Sequence, residues 1–296
     1  MKKCYLCDSN AFLERDGEVR DAPNLKILEC KDCRLVSLNS FEHIQSGHYE
    51  NSRMHGEEIQ TMESSLQNTE WDDQRRFEML KSILPNKKIL DFGCGNCGFI
   101  LRGKELAAEI VGLEVEKRVQ DYWSGRMNVV PDLESAGGGY DLITAFHVVE
   151  HLPDPRKVLW EMSEHLNDNG MIVVEVPSSE DALLTMYECD AFQRFTYWSQ
   201  HLFLFNANTL LTLALQAGLK VVAVQQYQRY PLSNDLHWLS KGEPGGHQKW
   251  SFLDSSNLNE AYANSLASIG KCDTLIAWLD KEELMLLTGP PVFWDY

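Results

Sequence analysis

The segment Ile89-Leu-Asp-Phe-Gly-Cys-Gly-Asn-Cys-Gly98 constrains this chain more than any other. Ile89-Leu90 reads as a short strand, the glycine-rich stretch as a turn, and Phe99 to Ala107 as a helix. Gly93, Gly95 and Gly98 open the backbone to close approach by a ligand, and the turn aims the helix N-terminus at it. A second strand, Glu109 to Val115, follows at once. It carries Glu114, 21 residues beyond Gly93, where an acid can accept hydrogen bonds from both ribose hydroxyls. Asp91 stands two residues before the glycines. An acid there repels a pyrophosphate, which counts against an NAD-type cofactor, and suits the ammonium end of an amino-acid cofactor.

Strand and helix signals then alternate. A charged helix is expected over Glu116 to Gly125, a short strand over Asn128 to Pro131, and a buried strand over Tyr140 to Phe146. A helix over Arg156 to Leu166 stops at Asn167-Asp-Asn-Gly170, and Met171 to Pro177 is the fifth strand. Ala207 to Ala217 reads as a helix, Lys220 to Arg229 as strand six and Asp273 to Leu279 as strand seven. Such alternation predicts an α/β fold, a doubly wound, mostly parallel seven-stranded sheet of Rossmann-like type. Ligands in these sheets bind beyond the carboxyl ends of the strands, where Gly93, Glu114, His147 and Pro177 all fall.

Asp-x-Gly-x-Gly-x-x-Gly followed by a strand ending in Glu resembles the class I S-adenosylmethionine-dependent methyltransferases. The stretch Glu150-His-Leu-Pro-Asp-Pro155 is similar to one that many of them carry after strand four. The likeness is good over Lys87 to Pro177 and looser elsewhere. It implies S-adenosylmethionine as cofactor and S-adenosylhomocysteine as product. Asp91, Gly93, Cys94, Gly95, Gly98, Glu114 and His147 would line that site. In this family an acid after strand three can bind the adenine amino group, which nominates Asp132; a plain turn acid is the alternative.

Eight cysteines and no apolar leader suggest a reducing, cytoplasmic setting, where paired cysteines more often mean metal than disulfide. Cys4-x-x-Cys7 and Cys30-x-x-Cys33 read as a closed four-thiolate zinc site with a structural role. Free thiols or a redox disulfide are the alternatives. The expected division is a zinc module over residues 1–40, a connector or lid with a leading helix over 41–84, a core over 85–281 and a tail over 282–296. The connector holds His43, His48, Tyr49 and His55, either as solvated loop or as a lid with His48 or Tyr49 turned inward. Trp71, Phe77, Leu80, Ile83 and Leu84 recur at helical spacing. The formal charge of −17 opposes a nucleic-acid partner. No apolar run is long enough to span a membrane.

Residues 178–205 are rich in aromatics, including Tyr187, Phe192, Phe195, Tyr197, Trp198, Phe203 and Phe205. They read as the wall of a substrate pocket or as core packing. Residues 233–270 read as an insertion before strand seven, a Gly-Pro-rich loop with a helix over Leu258 to Ile269, capping the acceptor or serving as a dimerisation arm. Methyl transfer from a sulfonium needs the acceptor positioned and one proton managed. His147, His151, Glu175, His201 and His247 are the candidates, with His201 and His147 favoured as catalytic residues. Zinc module, methyltransferase core and Gln200-His-Leu-x-x-Phe205 together resemble bacterial sugar methyltransferases. That implies a small-molecule acceptor, a nucleotide-activated sugar, and a monomer or homodimer. The sugar C-methyltransferases often have Glu-His where this chain has Gln200-His201, so carbon and oxygen acceptors both stay open. Other readings are a methyltransferase for a quinone or polyketide, and a zinc-knuckle binding protein with a non-catalytic core.

Overall fold

The computed structural model describes residues 3–51 and 60–281. The elements begin with β1 (Phe12–Glu14), β2 (Ile27–Cys30), β3 (Val36–Leu38) and α1 (Met62–Leu80). The core then runs β4 (Lys88–Phe92), α2 (Gly98–Gly103), β5 (Glu109–Leu113), α3 (Lys117–Trp123), β6 (Val129–Val130) and α4 (Leu133–Ala136). It continues as β7 (Tyr140–Phe146), α5 (Pro155–Glu164), β8 (Leu166–Pro177), α6 (Ala182–Thr185), α7 (Asp190–Thr196) and β9 (Phe203–Leu204). Last come α8 (Ala207–Gln216), β10 (Leu219–Tyr227), α9 (Leu232–Lys241), α10 (Gly246–Lys249), α11 (Ser256–Ser268) and β11 (Thr274–Lys281). The expected tail, 282–296, and His55 lie outside the described residues. No helix among the described residues is long and apolar enough to cross a membrane.

Seven strands form the main sheet in the order β10-β11-β8-β7-β4-β5-β6. Strands β4 to β8 pair in parallel, and β11 is antiparallel to both neighbours. The alternation of side chains explains why both faces are covered. Leu90, Ile172, Val174, Leu275 and Ala277 join one core, under Leu159 of α5 and Leu210 of α8. Their neighbours Ile89, Val173 and Ile276 join the other, with Leu80 of α1 and Phe99 of α2. The parallel strands present their carboxyl ends to one edge, and α1 crosses above it.

The four-stranded sheet has the order β1-β2-β3-β9, so β9 from the core completes the N-terminal sheet. Val36 pairs with Leu204 and Ser37 with Phe203. Phe203 packs against Tyr5 and Phe41 at 5.2 Å each. Phe203 is therefore core, as are Phe205 and Tyr197.

Several local expectations shift. Asn167 to Gly170 do not end the helix and restart a strand; β8 begins at Leu166 and bulges as its register jumps from Tyr140↔Leu166 to Leu142↔Met171. The helix expected over Leu258 to Ile269 is present as α11, and the stretch before it is helical rather than loop. Residues 233–270 fold largely into α9, α10 and α11. The buried face of α9 carries Ser233, Asn234, Asp235 and His237 beside Trp238. A polar buried face hides a helix from apolar periodicity. Its groups are paired: Ser233 donates to Asp254, Tyr262 to Asp235, and His237 to the Glu243 carbonyl. In α1, Leu80 is buried, while Trp71 is 47% exposed.

Candidate active site

The first cleft, about 390 Å³, opens over the carboxyl ends of β4 and β5. Asp91, Gly93, Cys94, Gly95, Gly98, Glu114 and His147 all line it, so the structure brings those sequence candidates together. Gly93 has φ +71°, and a Cβ there would stand 2.5 Å from Cγ2 of Val148. At Gly98 a Cβ would lie 1.9 Å from Oδ2 of Asp73. Glu114 holds the loop: Gly95 N–H donates to its Oε2 and Glu116 N–H to its Oε1, both at 2.9 Å. A carboxylate has about four lone-pair sites, so capacity for two ribose hydroxyls remains. Asp91 is buried and accepts from the Thr144 hydroxyl at 2.7 Å, which leaves Oδ2 to the cleft. Burial raises the carboxyls of Asp73, Asp91 and Glu114 above their ordinary values, Asp91 to about 7. Three crowded carboxyls favour a cationic ligand. Tyr49 also lines this cleft, and its hydroxyl donates to the His151 carbonyl at 3.1 Å. Tyr49 thus forms part of the wall of this cleft.

Asp132 is not there. Its carboxylate caps α4, accepting from Ser135 N–H at 2.7 Å, which also holds its pKa down. The β-strand before it ends two residues earlier, so the acid falls on the cap and points to a helix N-terminus.

The second cleft, about 410 Å³, adjoins the first, and His147 and His151 line both. Phe192, Phe195, Trp198 and Trp238 form one side, and Asp181, Asp235 and Asp273 lie in the wall. Arg20 stacks its guanidinium on Trp198 at 4.6 Å and on Phe195 at 5.2 Å. His201 faces this cleft, with Nδ1 donating to the Thr196 carbonyl at 3.1 Å. Burial, and then the neighbouring His151, push its pKa down to about 3. His201 is therefore neutral at pH 7 but a much weaker base than the unperturbed imidazole the sequence suggests.

His147 sits in left-handed backbone, φ +55°, at the end of β7. Its Nδ1 bonds Oε1 of Glu150 at 3.1 Å. Its Nε2 lies 3.1 Å from Oε1 of Glu175, an ion-pair distance without hydrogen-bond alignment. Burial opposes a charge on the ring, yet the two carboxylates outweigh it and raise its pKa. Glu175 is fully buried; burial disfavours its charge, but Arg76, His147 and Arg75 hold it well below the carboxylate range. It anchors α1 rather than standing free as a base, taking Arg75 in a fork at 2.9 and 2.8 Å.

Away from both clefts, the four N-terminal cysteines meet. Sγ of Cys4 and Cys33 are 3.4 Å apart, and Sγ of Cys7 and Cys30 are 3.5 Å apart. One sulfur from each lies within 4.8 Å of the others. The two knuckles repeat each other. Asp8 N–H donates to the Cys4 carbonyl and Arg34 N–H to the Cys30 carbonyl, and Asp8 and Arg34 have φ +56° and +66°. Four thiolates around a tetrahedral ion at ~2.3 Å fit this spacing.

A family model described as a methyltransferase domain matches residues 63–224, more than half of the chain. The chain belongs to this methyltransferase-domain family. A tRNA U34 carboxymethyltransferase from Campylobacter jejuni (strain RM1221) is 27% identical over 128 residues, 38% of this chain and 44% of that one. A ubiquinone biosynthesis O-methyltransferase from Chromobacterium violaceum is 27% identical over 135 residues, 37% of this chain and 58% of that one. The chain thus spans about half the length of these curated relatives. Among solved structures, a chain from a complex between a Haloferax volcanii methyltransferase activator and a methyltransferase shares the fold. It has TM-score 0.51 and 12% identity, with 74% of this chain and 95% of that one covered.

Several groups of the methyltransferase site escaped the sequence. Asp73, Arg76 and Thr69, on α1, line the first cleft from above. Arg229 of the β10–α9 turn pairs with Asp72 on the same helix. Their only signal was the run Asp72-Asp-Gln-Arg-Arg76 within one helical turn, which reads as a solvated face until β8 supplies Glu175. Gln200 is buried, and its Oε1 bonds Nε2 of His48 at 2.7 Å, so His48 of the connector does turn inward.

Proposed function

We propose that this chain transfers a methyl group from S-adenosylmethionine to a small polar acceptor, a nucleotide-activated sugar. One observation carries the reading: two clefts of similar size meet at His147 and His151. One cleft has the glycine loop and three carboxyls, suited to a ligand with a sulfonium and an ammonium group. The other joins aromatic faces, which stack on a sugar or base, to carboxylates that accept hydroxyls and to Arg20, which suits a phosphate. The cofactor, when bound, supplies the electrophilic methyl carbon. Asp91 would take the ammonium end, Glu114 the ribose, and the glycine backbone the close approach. His201, neutral and facing the second cleft, would position the acceptor hydroxyl. His147, set between Glu150 and Glu175, would stabilise the partition between the clefts.

Cys4, Cys7, Cys30 and Cys33 would hold one structural zinc. Its role in this reading is to brace the acceptor side. Asp21 accepts from the amide and hydroxyl of Ser199, Arg20 N–H donates to the Tyr197 carbonyl, and Leu38 N–H to the Leu202 carbonyl. The division into residues 1–40, 41–84 and 85–281 belongs to the same reading, with β9 the core segment that joins the small sheet. A cytoplasmic site of action belongs to the same reading. A monomer or homodimer would suffice, since both clefts are built within one chain.

The test is a transfer assay with labelled S-adenosylmethionine against nucleotide sugars, a quinol and unmodified tRNA. Methylation of a nucleotide sugar supports the reading. Transfer to the quinol or to tRNA alone would replace the acceptor, in line with the relatives above. A net charge of −17 weighs against tRNA.

A further inference from the structure

Three side chains converge where the clefts meet, and neither the glycine loop nor the aromatic wall accounts for their arrangement. Glu150, His151 and His201 each place one ligand-capable atom within 4.8 Å of the other two. Glu150 is fully buried, and its Oε2 has no hydrogen-bond partner among the described residues. A buried, unpaired carboxylate oxygen is costly and asks for an occupant.

The two histidines are prepared for the same occupant. Nδ1 of His151 faces the Gln200 carbonyl at 2.8 Å, and Nδ1 of His201 faces the Thr196 carbonyl at 3.1 Å. A carbonyl only accepts, so both Nδ1 atoms carry the proton and both Nε2 atoms keep a lone pair. This is the tautomer in which a metal-binding histidine is fixed by its far nitrogen. The rings lie 5.2 Å apart, centroid to centroid. A backbone bond from Leu202 N–H to the Glu150 carbonyl, 2.9 Å, clips the two contributing segments together. Glu150 Oε1 accepts from His147 at 3.1 Å, the kind of support that orients a ligating carboxylate, and lies 3.9 Å from Nε2 of His151.

We propose that Glu150, His151 and His201 hold a divalent first-row transition-metal ion, with its open coordination positions toward the acceptor cleft. Two imidazoles and one carboxylate suit zinc, iron, cobalt or manganese better than the all-oxygen preference of magnesium or calcium. The proposal rests on the methyl-transfer reading and names a second metal site, distinct from the four-thiolate one. The ion would bind an acceptor hydroxyl and lower its pKa, and the hydroxyl proton would leave to water in the cleft. The oxygen lone pair then forms the bond to the methyl carbon. The carbon–sulfur bond breaks, and its electron pair returns to sulfur as the thioether.

The full chain, loaded with one equivalent of zinc for the cysteines, is titrated with manganese(II), the free ion being followed by paramagnetic resonance. One further saturable ion per chain is expected. His201→Ala and Glu150→Gln should each weaken its uptake at least tenfold. S-adenosylhomocysteine binding, measured on the same samples, checks that each variant is folded and tests the cofactor site separately. If Glu150→Gln does not fold, His201→Ala, at a partly exposed position, decides alone. No saturable uptake by the parent chain, or uptake undiminished in folded His201→Ala, overturns the proposal even where the cofactor binds.

Discussion

Replacing Asp91 by Asn removes a charge from the cofactor cleft while keeping the side chain's size and its bond from Thr144. In the ligand-free protein, burial lifts this carboxyl to about 7. A cofactor ammonium at Oδ2 would form a charge-assisted hydrogen bond worth about 1.5–3 kcal/mol. The variant should therefore bind S-adenosylhomocysteine roughly 10- to 150-fold more weakly at pH 7.5. The pH dependence sharpens the test. Below pH 7 the ligand must displace a proton from Asp91. Affinity should fall by roughly 25-fold between pH 7.5 and 5.5 for one coupled proton. Calorimetry in two buffers of different ionisation enthalpy counts that proton. The Asn variant should lose both the slope and the proton. Stability should move the other way. A carboxyl raised in the folded state binds more protons there than in the unfolded chain between its unfolded pKa, near ~4, and its folded value. The free protein thus loses stability as pH rises through that window, and above it Asp91→Asn should melt at a higher temperature. A pH-independent affinity in the parent chain, or an Asn variant within threefold of it, would refute the assignment of Asp91 to the ammonium end.

Glu114→Ala should weaken cofactor binding by about 1.5–3 kcal/mol, read by the same calorimetry; unchanged affinity would remove Glu114 from the ribose. Metal analysis should find one zinc on the four cysteines, abolished together with the ordered N-terminal segment in Cys30→Ser. Stripping that zinc with a chelator should leave S-adenosylhomocysteine affinity nearly intact and impair acceptor binding, because the module grips residues 197–202 and not the glycine loop. Equal damage to both ligands would contradict the bracing role. His201→Asn should leave cofactor affinity unchanged and cut turnover by roughly 100-fold, the cost of a misplaced acceptor, whereas a purely structural histidine would lower the melting temperature and spare turnover per folded molecule.

Much of this protein was legible in the sequence because its information is local. Strand four of the chain's alternation, Tyr140 to Phe146, and the loop from Asp91 to Gly98 are set by apolar runs and by glycines that tolerate left-handed backbone. The two Cys-x-x-Cys knuckles are equally local, since each closes within a few residues. The α9 helix was not legible, because its buried face is polar and its partners Asp254 and Tyr262 come from later in the chain. Nor was the charge state of any histidine. His147 is raised by Glu150 and Glu175, while burial and His151 lower His201. The same side chain is thus shifted in opposite directions by surroundings that only folding assembles. The sheet, the glycine loop and the thiol cluster follow from the chain alone, because in each of them spacing along the chain equals geometry. Only the tertiary structure decided that β9 completes the N-terminal sheet, that α1 lays Asp73 and Arg76 over the cofactor cleft, and that Glu150, His151 and His201 face one another. Those contacts join segments far apart in the chain, and their strength depends on exclusion of water that no residue dictates alone.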